Sequence, residues 1–201
     1  MSKIKGLYGI TSNDTENIEA QVEAALVGGA KVIQFRNKSS NTEDSVQLGK
    51  KIAELCRKFG STFIVNDNVE LVLALDADGI HLGKNDTTIE IAREKIGNKI
   101  IGVSCYNNLN LAIDAEKRGA NYVAFGRFFP SLTKPNAVEA DVKLLKNARQ
   151  QLSIPIVAIG GITLDNAAIL IRAGVDSIAV INGLFNQTHI KDTAQKFSHL
   201  F

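Results

Sequence analysis

The stretch "FIVNDNVELVLALDADGIHLGKND", residues 63 to 86, holds two apolar, strand-like runs; the first ends in Asn66-Asp67 and the second runs out to Asp86. One acid after a strand can cap the following helix, because its oxygen accepts the first free backbone amides. Two such acids on neighbouring parallel strands could instead hold a hard cation. In "IQFRNK", Gln34, Arg36 and Lys38 recur with a period of two and so face one side of an extended chain. Two cations on one side invite an anion between them, with Arg engaging two phosphate oxygens and Lys acting as a point charge. The plainer alternative pairs Arg36 with a carboxylate such as Asp67, since buried charges usually have partners.

Further along, "FGRFFPSLTKPNAVEAD" (125 to 141) is the longest irregular stretch. Pro130 and Pro135 stiffen it, and Ser131, Thr133 and Lys134 place two hydroxyls and a cation within four residues. Long loops in compact domains are often functional, and this one reads as a flexible lid over a phosphorylated ligand. "IVAIGGI" and "IAVINGL" end in glycine-containing turns, where backbone amides can approach a phosphate closely. Cys56 and Cys105 lack metal-type spacing and read as free thiols. No His/Cys cluster points to zinc, and no Ser-His-Asp order points to acyl transfer. His81 is expected to be a packed or hydrogen-bonded histidine at a strand end, not a catalyst.

The elements that would position these groups are legible as an alternation. Short β-branched runs fall at about 5–10, 31–36, 62–66, 78–82, 99–104, 121–126, 155–160 and 176–181, separated by amphipathic stretches such as "EDSVQLGKKIAELCRKF" and "VKLLKNARQQL". Repeated strand-helix units select an open doubly wound sheet or a closed barrel. The recurring turns in "GGAKVI", "LDADGI", "RGANYV" and "RAGVDSI" favour closure. The expected fold is a (β/α)8 TIM barrel of eight parallel strands, residues 1–201 forming a single domain. Active sites of such barrels lie at the C-terminal strand ends. Here those ends carry Gln34, Arg36 and Lys38; Asn66 and Asp67; His81 and Asp86; Ser104; Arg127; Gly161; and Ile181 with Asn182.

Composition narrows the partners. With 45% hydrophobic residues, 22% charged residues and a net charge of +2, the chain has no basic block interleaved with aromatics, so a nucleic-acid partner is not expected. It has no leader with a cleavage site and no run of about 18 apolar residues, so no membrane association is expected and the cytosol is the expected compartment. Assembly into a homo-oligomer is left open.

Taken in order, "QFRNK", "NDNVELVLALDADGIHLGKND", "GVSC", "YVAFGRFFPSLTKPNA", "IPIVAIGGI" and "DSIAVING" resemble the thiamine-phosphate synthase family over nearly the whole chain. The resemblance implies that a Mg2+-bound pyrimidine diphosphate loses pyrophosphate and that the nitrogen of a thiazole phosphate attacks the remaining methylene carbon. It implies that Gln34, Arg36, Lys38, Asn66, Ser104 and Lys134 bind the pyrimidine diphosphate, and that Asp67 and Asp86 hold Mg2+. Ser131, Thr133, Gly161, Ile181 and Asn182 would bind the thiazole phosphate. Catalysis would be electrostatic, with no protein base or nucleophile. Asn182-Gly183 departs from the family's small Ser-Ala pair, Lys84 stands where a glutamine is usual, and Arg127 stands where many relatives have proline. Two alternatives stay open at this point: a thiazole tautomerase-like isomerase, and a barrel that binds thiamine precursors without catalysis.

Overall fold

The computed structural model describes residues 3–12, 17–37, 42–130 and 138–201. Eight parallel strands close into a barrel in chain order: β1 (Gly6–Ile10), β2 (Val32–Phe35), β3 (Thr62–Asn66), β4 (Gly79–Leu82), β5 (Ile100–Tyr106), β6 (Tyr122–Phe125), β7 (Ile156–Ile159) and β8 (Ser177–Val180). The helices between them are α1 (Ile18–Val27), α2 (Thr42–Phe59), α3 (Val69–Ala74), α4 (Ile89–Ile96), α5 (Leu109–Lys117), α6 (Val142–Gln151) and α7 (Ala167–Arg172). After β8 come the single turn α8 (Asn182–Phe185) and α9 (Ile190–Ser198), which packs against α1 and closes the outer ring. The expected eightfold alternation is therefore present. No helix among the described residues is long and apolar enough to cross a membrane.

Strand parity creates two concentric cores. Leu7, Ile33, Phe35, Phe63, Val65, Ile80 and Ile101 point outward and pack under helix residues such as Val22, Leu26, Ile52 and Leu145. Their partners in alternation, Tyr8, Ile10, Val32, Ile64, Tyr122, Ala124, Val157 and Ala179, fill the barrel interior. Full burial of one such aliphatic side chain contributes about 1.5–3 kcal/mol, so both layers are needed to offset chain entropy. Cys56 and Cys105 are free and buried within the outer core, where desolvation pushes each thiol up to about 12.

A glycine sets the shape of the interior. Gly102 on β5 pairs with Tyr122 on β6, and a Cβ at Gly102 would overlap the Tyr122 ring. Glycine inside a strand often marks such a close approach. Gly102→Ala should therefore destabilise the fold by about 1–3 kcal/mol, read as a lower midpoint in urea unfolding. An unchanged midpoint would show that the ring can move aside without cost.

The helix starts answer the question raised by the two acids. Asn68, not Asp67, caps α3: its side chain accepts the Leu71 amide at 2.9 Å. Thr88, not Asp86, caps α4 by accepting from Ile91 N. The cap explanation thus fails for both acids, because each helix takes its cap from a residue one or two positions further along.

Candidate functional site

The C-terminal ends of the strands enclose a cavity of about 160 Å3, with Gln34, Arg36, Asn66, His81, Ser104, Tyr106, Arg127 and Ile181 in its wall together with Tyr8 and Tyr122. A larger hollow of about 650 Å3 opens at the opposite pole beside Lys3, Lys31, Arg57 and Phe201. Size is a poor guide here, because the polar strand ends converge on the smaller cavity and the N-terminal pole of such barrels serves stability.

Each wall residue is placed by alternation. Gln34 is the inward residue after Val32 on β2, and Arg36 follows it on the same side. Thr11 clamps the Arg36 backbone, accepting from its N–H at 2.9 Å and donating its own hydroxyl to the Arg36 carbonyl at 3.2 Å. Asn66, at the end of β3, pairs in register with His81 on β4. Ser104 ends the inward row of β5 that begins with Ile100 and Gly102.

Asp67 follows Asn66 with φ 53, a left-handed conformation that Asp adopts more readily than most residues. Its backbone N–H donates to the His81 carbonyl at 3.0 Å, which ties β3 to β4, and its carboxylate accepts a hydrogen bond from Asn66 Nδ2. The alternative ion pair with Arg36 is not formed; among the described residues no carboxylate pairs with Arg36. Asp86 lies in the loop after β4, where Gly83 N donates to its Oδ2 at 2.6 Å. The neighbouring Lys84 amide donates to the Tyr106 hydroxyl at 3.1 Å, so the loop is fixed to the cavity wall. Both acids therefore adjoin the cavity through residues that line it or pack against its wall.

The last strands supply a second cluster of close backbone contacts. A Cβ at Gly183 would collide with the Ile162 carbonyl, and one at Gly161 with the Pro130 carbonyl. Only residues without a side chain let these turns meet. The segment after β6 lies along the end of β7, with Phe128 N donating to Ile159 O and Phe129 N to Gly160 O. Arg127 pins both stems of the long loop, donating its N–H to Val138 O and accepting from Ala140 N, while its guanidinium pairs with Glu139 at 3.3 Å.

Of the residues picked from the sequence, Gln34, Arg36, Asn66, Ser104 and Ile181 share the cavity. Asp67, Asp86, Gly161 and Asn182 are not part of its lining, although Asn66, Gly160 and Ile181 beside three of them are; Lys38, Ser131, Thr133 and Lys134 lie outside the described residues, as does the centre of the expected lid. His81 is hydrogen-bonded through both ring nitrogens, to Tyr122 Oη at 2.9 Å and Ser104 Oγ at 2.8 Å. Tyr8, Tyr106 and Tyr122 escaped the sequence reading. Burial pushes the Tyr8 and Tyr122 phenols well above their ordinary range, so both stay protonated. The signal that could have found Tyr8 and Tyr122 is a polar-tipped ring at an inward position of an otherwise apolar strand.

The site's donor set suits a hard cation. Two carboxylates adjoin the cavity from adjacent strands, and among the described residues no cluster of three His, Cys, Asp or Glu side chains forms a closed cage. One or two carboxylates, with substrate phosphate and water, is how Mg2+ is commonly held.

Comparison with known proteins bears on the family and the fold. The family model described as thiamine monophosphate synthase matches residues 7–184. A thiamine-phosphate synthase from Methylobacillus flagellatus is 52% identical, covering 98% of this chain and 96% of its own length. One from Nitrosomonas eutropha is 49% identical, covering 99% and 95%. The solved thiamine phosphate pyrophosphorylase of Pyrococcus furiosus superposes with a TM-score of 0.91 at 38% identity, covering 99% of this chain and 96% of that one.

Proposed function

The chain belongs to the thiamine monophosphate synthase family, and on that premise we propose how its barrel mouth runs the reaction. It is a transferase that forms thiamine phosphate and releases pyrophosphate. Gln34, Asn66 and Ser104 hold the aminopyrimidine, and Arg36, Lys38 and Lys134 take its diphosphate. Ser131, Thr133, Gly161, Ile181 and Asn182 hold the thiazole phosphate, and the described members of this group stand where the ends of β7 and β8 meet.

Asp67 and Asp86 would hold Mg2+, which would neutralise charge gathering on the departing diphosphate. The observation that supports this assignment is that neither carboxylate caps a helix, since Asn68 and Thr88 do so. Arg36 is positioned on a clamped backbone to meet the same growing charge, a contribution that costs no reorganisation during the reaction. Held against the thiazole by the opposite wall, the pyrimidine is presented near attack distance, and water is kept out of the small cavity. No protein base is required, which fits a wall whose imidazole has both nitrogens in hydrogen bonds. The single domain, the cytosolic location and any self-association stand as further parts of this reading.

The test is a coupled assay with both phosphorylated precursors. Thiamine phosphate should appear with Mg2+, and a chelator should abolish its formation. Activity persisting in the chelator would sink the metal assignment. Turnover of the thiazole phosphate alone would instead favour an isomerase.

A further inference from the structure

Two of the groups proposed to hold the pyrimidine are joined through the barrel interior. Gln34 Nε2 donates to Tyr8 Oη at 2.8 Å, and the Tyr8 and Tyr122 oxygens are 2.9 Å apart. Tyr122 Oη lies 2.9 Å from His81 Nδ1, and His81 Nε2 lies 2.8 Å from Ser104 Oγ. The chain of contacts thus runs unbroken from β2 through β1, β6 and β4 to β5. Both tyrosines are fully buried, and each phenol oxygen has its two partners within this chain.

Counting protons restricts what the chain can do. Each phenol owns one proton, and a buried hydroxyl left without an acceptor costs about 1–3 kcal/mol. With the Gln34 amide donating, Tyr8 must give its proton to Tyr122, and Tyr122 must give its own to His81 Nδ1. His81 is then the neutral Nε2–H tautomer and donates to Ser104, which keeps its hydroxyl proton for the cavity. The opposite polarity turns every bond around: Gln34 would accept from Tyr8, and Ser104 would spend its proton on His81. With a neutral imidazole, a chain that changes polarity part-way either points two protons at each other or leaves two buried acceptors facing each other with none.

The cavity itself separates the two polarities. Arg36 follows Gln34 on the same inward face, and Arg127 lines the same cavity. A carbonyl oxygen turned toward guanidinium groups is favoured over an amide N–H. Gln34 Oε1 accepts no hydrogen bond from a described residue and is not among the fully enclosed unpartnered atoms, so it opens on the cavity.

Resting on the functional reading above, we propose that Tyr8, Tyr122 and His81 are positioning residues that fix Gln34 as an acceptor and Ser104 as a donor. That pair matches an aminopyrimidine edge, where an exocyclic N–H lies beside an unprotonated ring nitrogen. It mismatches the corresponding oxo-pyrimidine edge, which presents a carbonyl beside a ring N–H. The interior tyrosines would then set substrate specificity through the bonds they make to Gln34 and His81.

The test compares kcat/KM for the aminopyrimidine diphosphate and its oxo counterpart in the unmodified enzyme, Tyr122→Phe and Tyr8→Phe. Sites built around hydrogen bonds reject mismatched analogues by large factors, about 10⁴–10⁵-fold in favourable cases. Each variant should erode the preference at least about tenfold, chiefly through a higher KM for the aminopyrimidine, with the KM for the thiazole phosphate unchanged. Preference and KM unchanged in both variants, with only a lower Tm, would overturn the proposal and leave the tyrosines as packing. Should one variant fail to fold, the other still breaks the Tyr8–Tyr122 link and so interrupts the chain. Nitrogen NMR of the unmodified protein gives a second readout: His81 as the Nδ1–H tautomer would overturn the assigned polarity. Absence of thiamine phosphate synthesis by the unmodified protein would instead count against the functional reading itself, separately from the tautomer result.

Discussion

Asp67→Asn is expected to lower turnover by about 10²–10³-fold while moving the unfolding midpoint by no more than a few degrees. The substitution keeps the size of the side chain, and asparagine tolerates the left-handed backbone found at φ 53. It also keeps the backbone N–H that bonds the His81 carbonyl, and it leaves the Asn68 cap of α3 untouched. What disappears is one negative charge beside the cavity. Measuring kcat across a range of Mg2+ concentrations alongside thermal unfolding separates the roles, and a weaker dependence on the metal should accompany the loss. If the protein instead unfolds in proportion to the lost activity, Asp67 is a structural residue.

Arg36→Ala should reduce kcat/KM for the pyrimidine diphosphate by about 10²–10³-fold, the size expected when two charge-assisted hydrogen bonds are lost. The KM for the thiazole phosphate should barely move. Stability should hold, because no described carboxylate depends on this guanidinium and the backbone clamp with Thr11 does not involve its side chain. Arg36→Lys should recover part of the loss, since an ammonium restores charge but not the two-pronged geometry. Steady-state kinetics on all three proteins decides the matter. Equal damage toward both substrates, or an alanine variant as active as the parent, would remove Arg36 from the diphosphate site.

Much of this arrangement could be read from the chain because the barrel repeats one rule eight times. Apolar runs ending in polar residues gave the strands within a residue or two, and the inward parity of β2 predicted that Gln34 and Arg36 would share a side. Asn66 and Ser104 followed from the same reasoning. The helix caps were harder, because Asp67-Asn68 offers two adjacent candidates and only backbone geometry selects between them. The tyrosine pair was harder still. Tyr8 and Tyr122 are 114 positions apart, and their contact depends on barrel closure and on the space left by Gly102. A period-two pattern reports which face a residue occupies, but not which distant ring it meets across a closed sheet.

The separation of cap from acid also bears on how such a chain can change over generations. Asn68 and Thr88 hold the starts of α3 and α4, so Asp67 and Asp86 are excused from that duty. Descendants could lose either carboxylate and still inherit both helix starts, free to drift toward another chemistry. Replacing Asn68 or Thr88 would weaken the scaffold first. Inheritance of the fold and inheritance of the reaction therefore rest on residues only one or two positions apart.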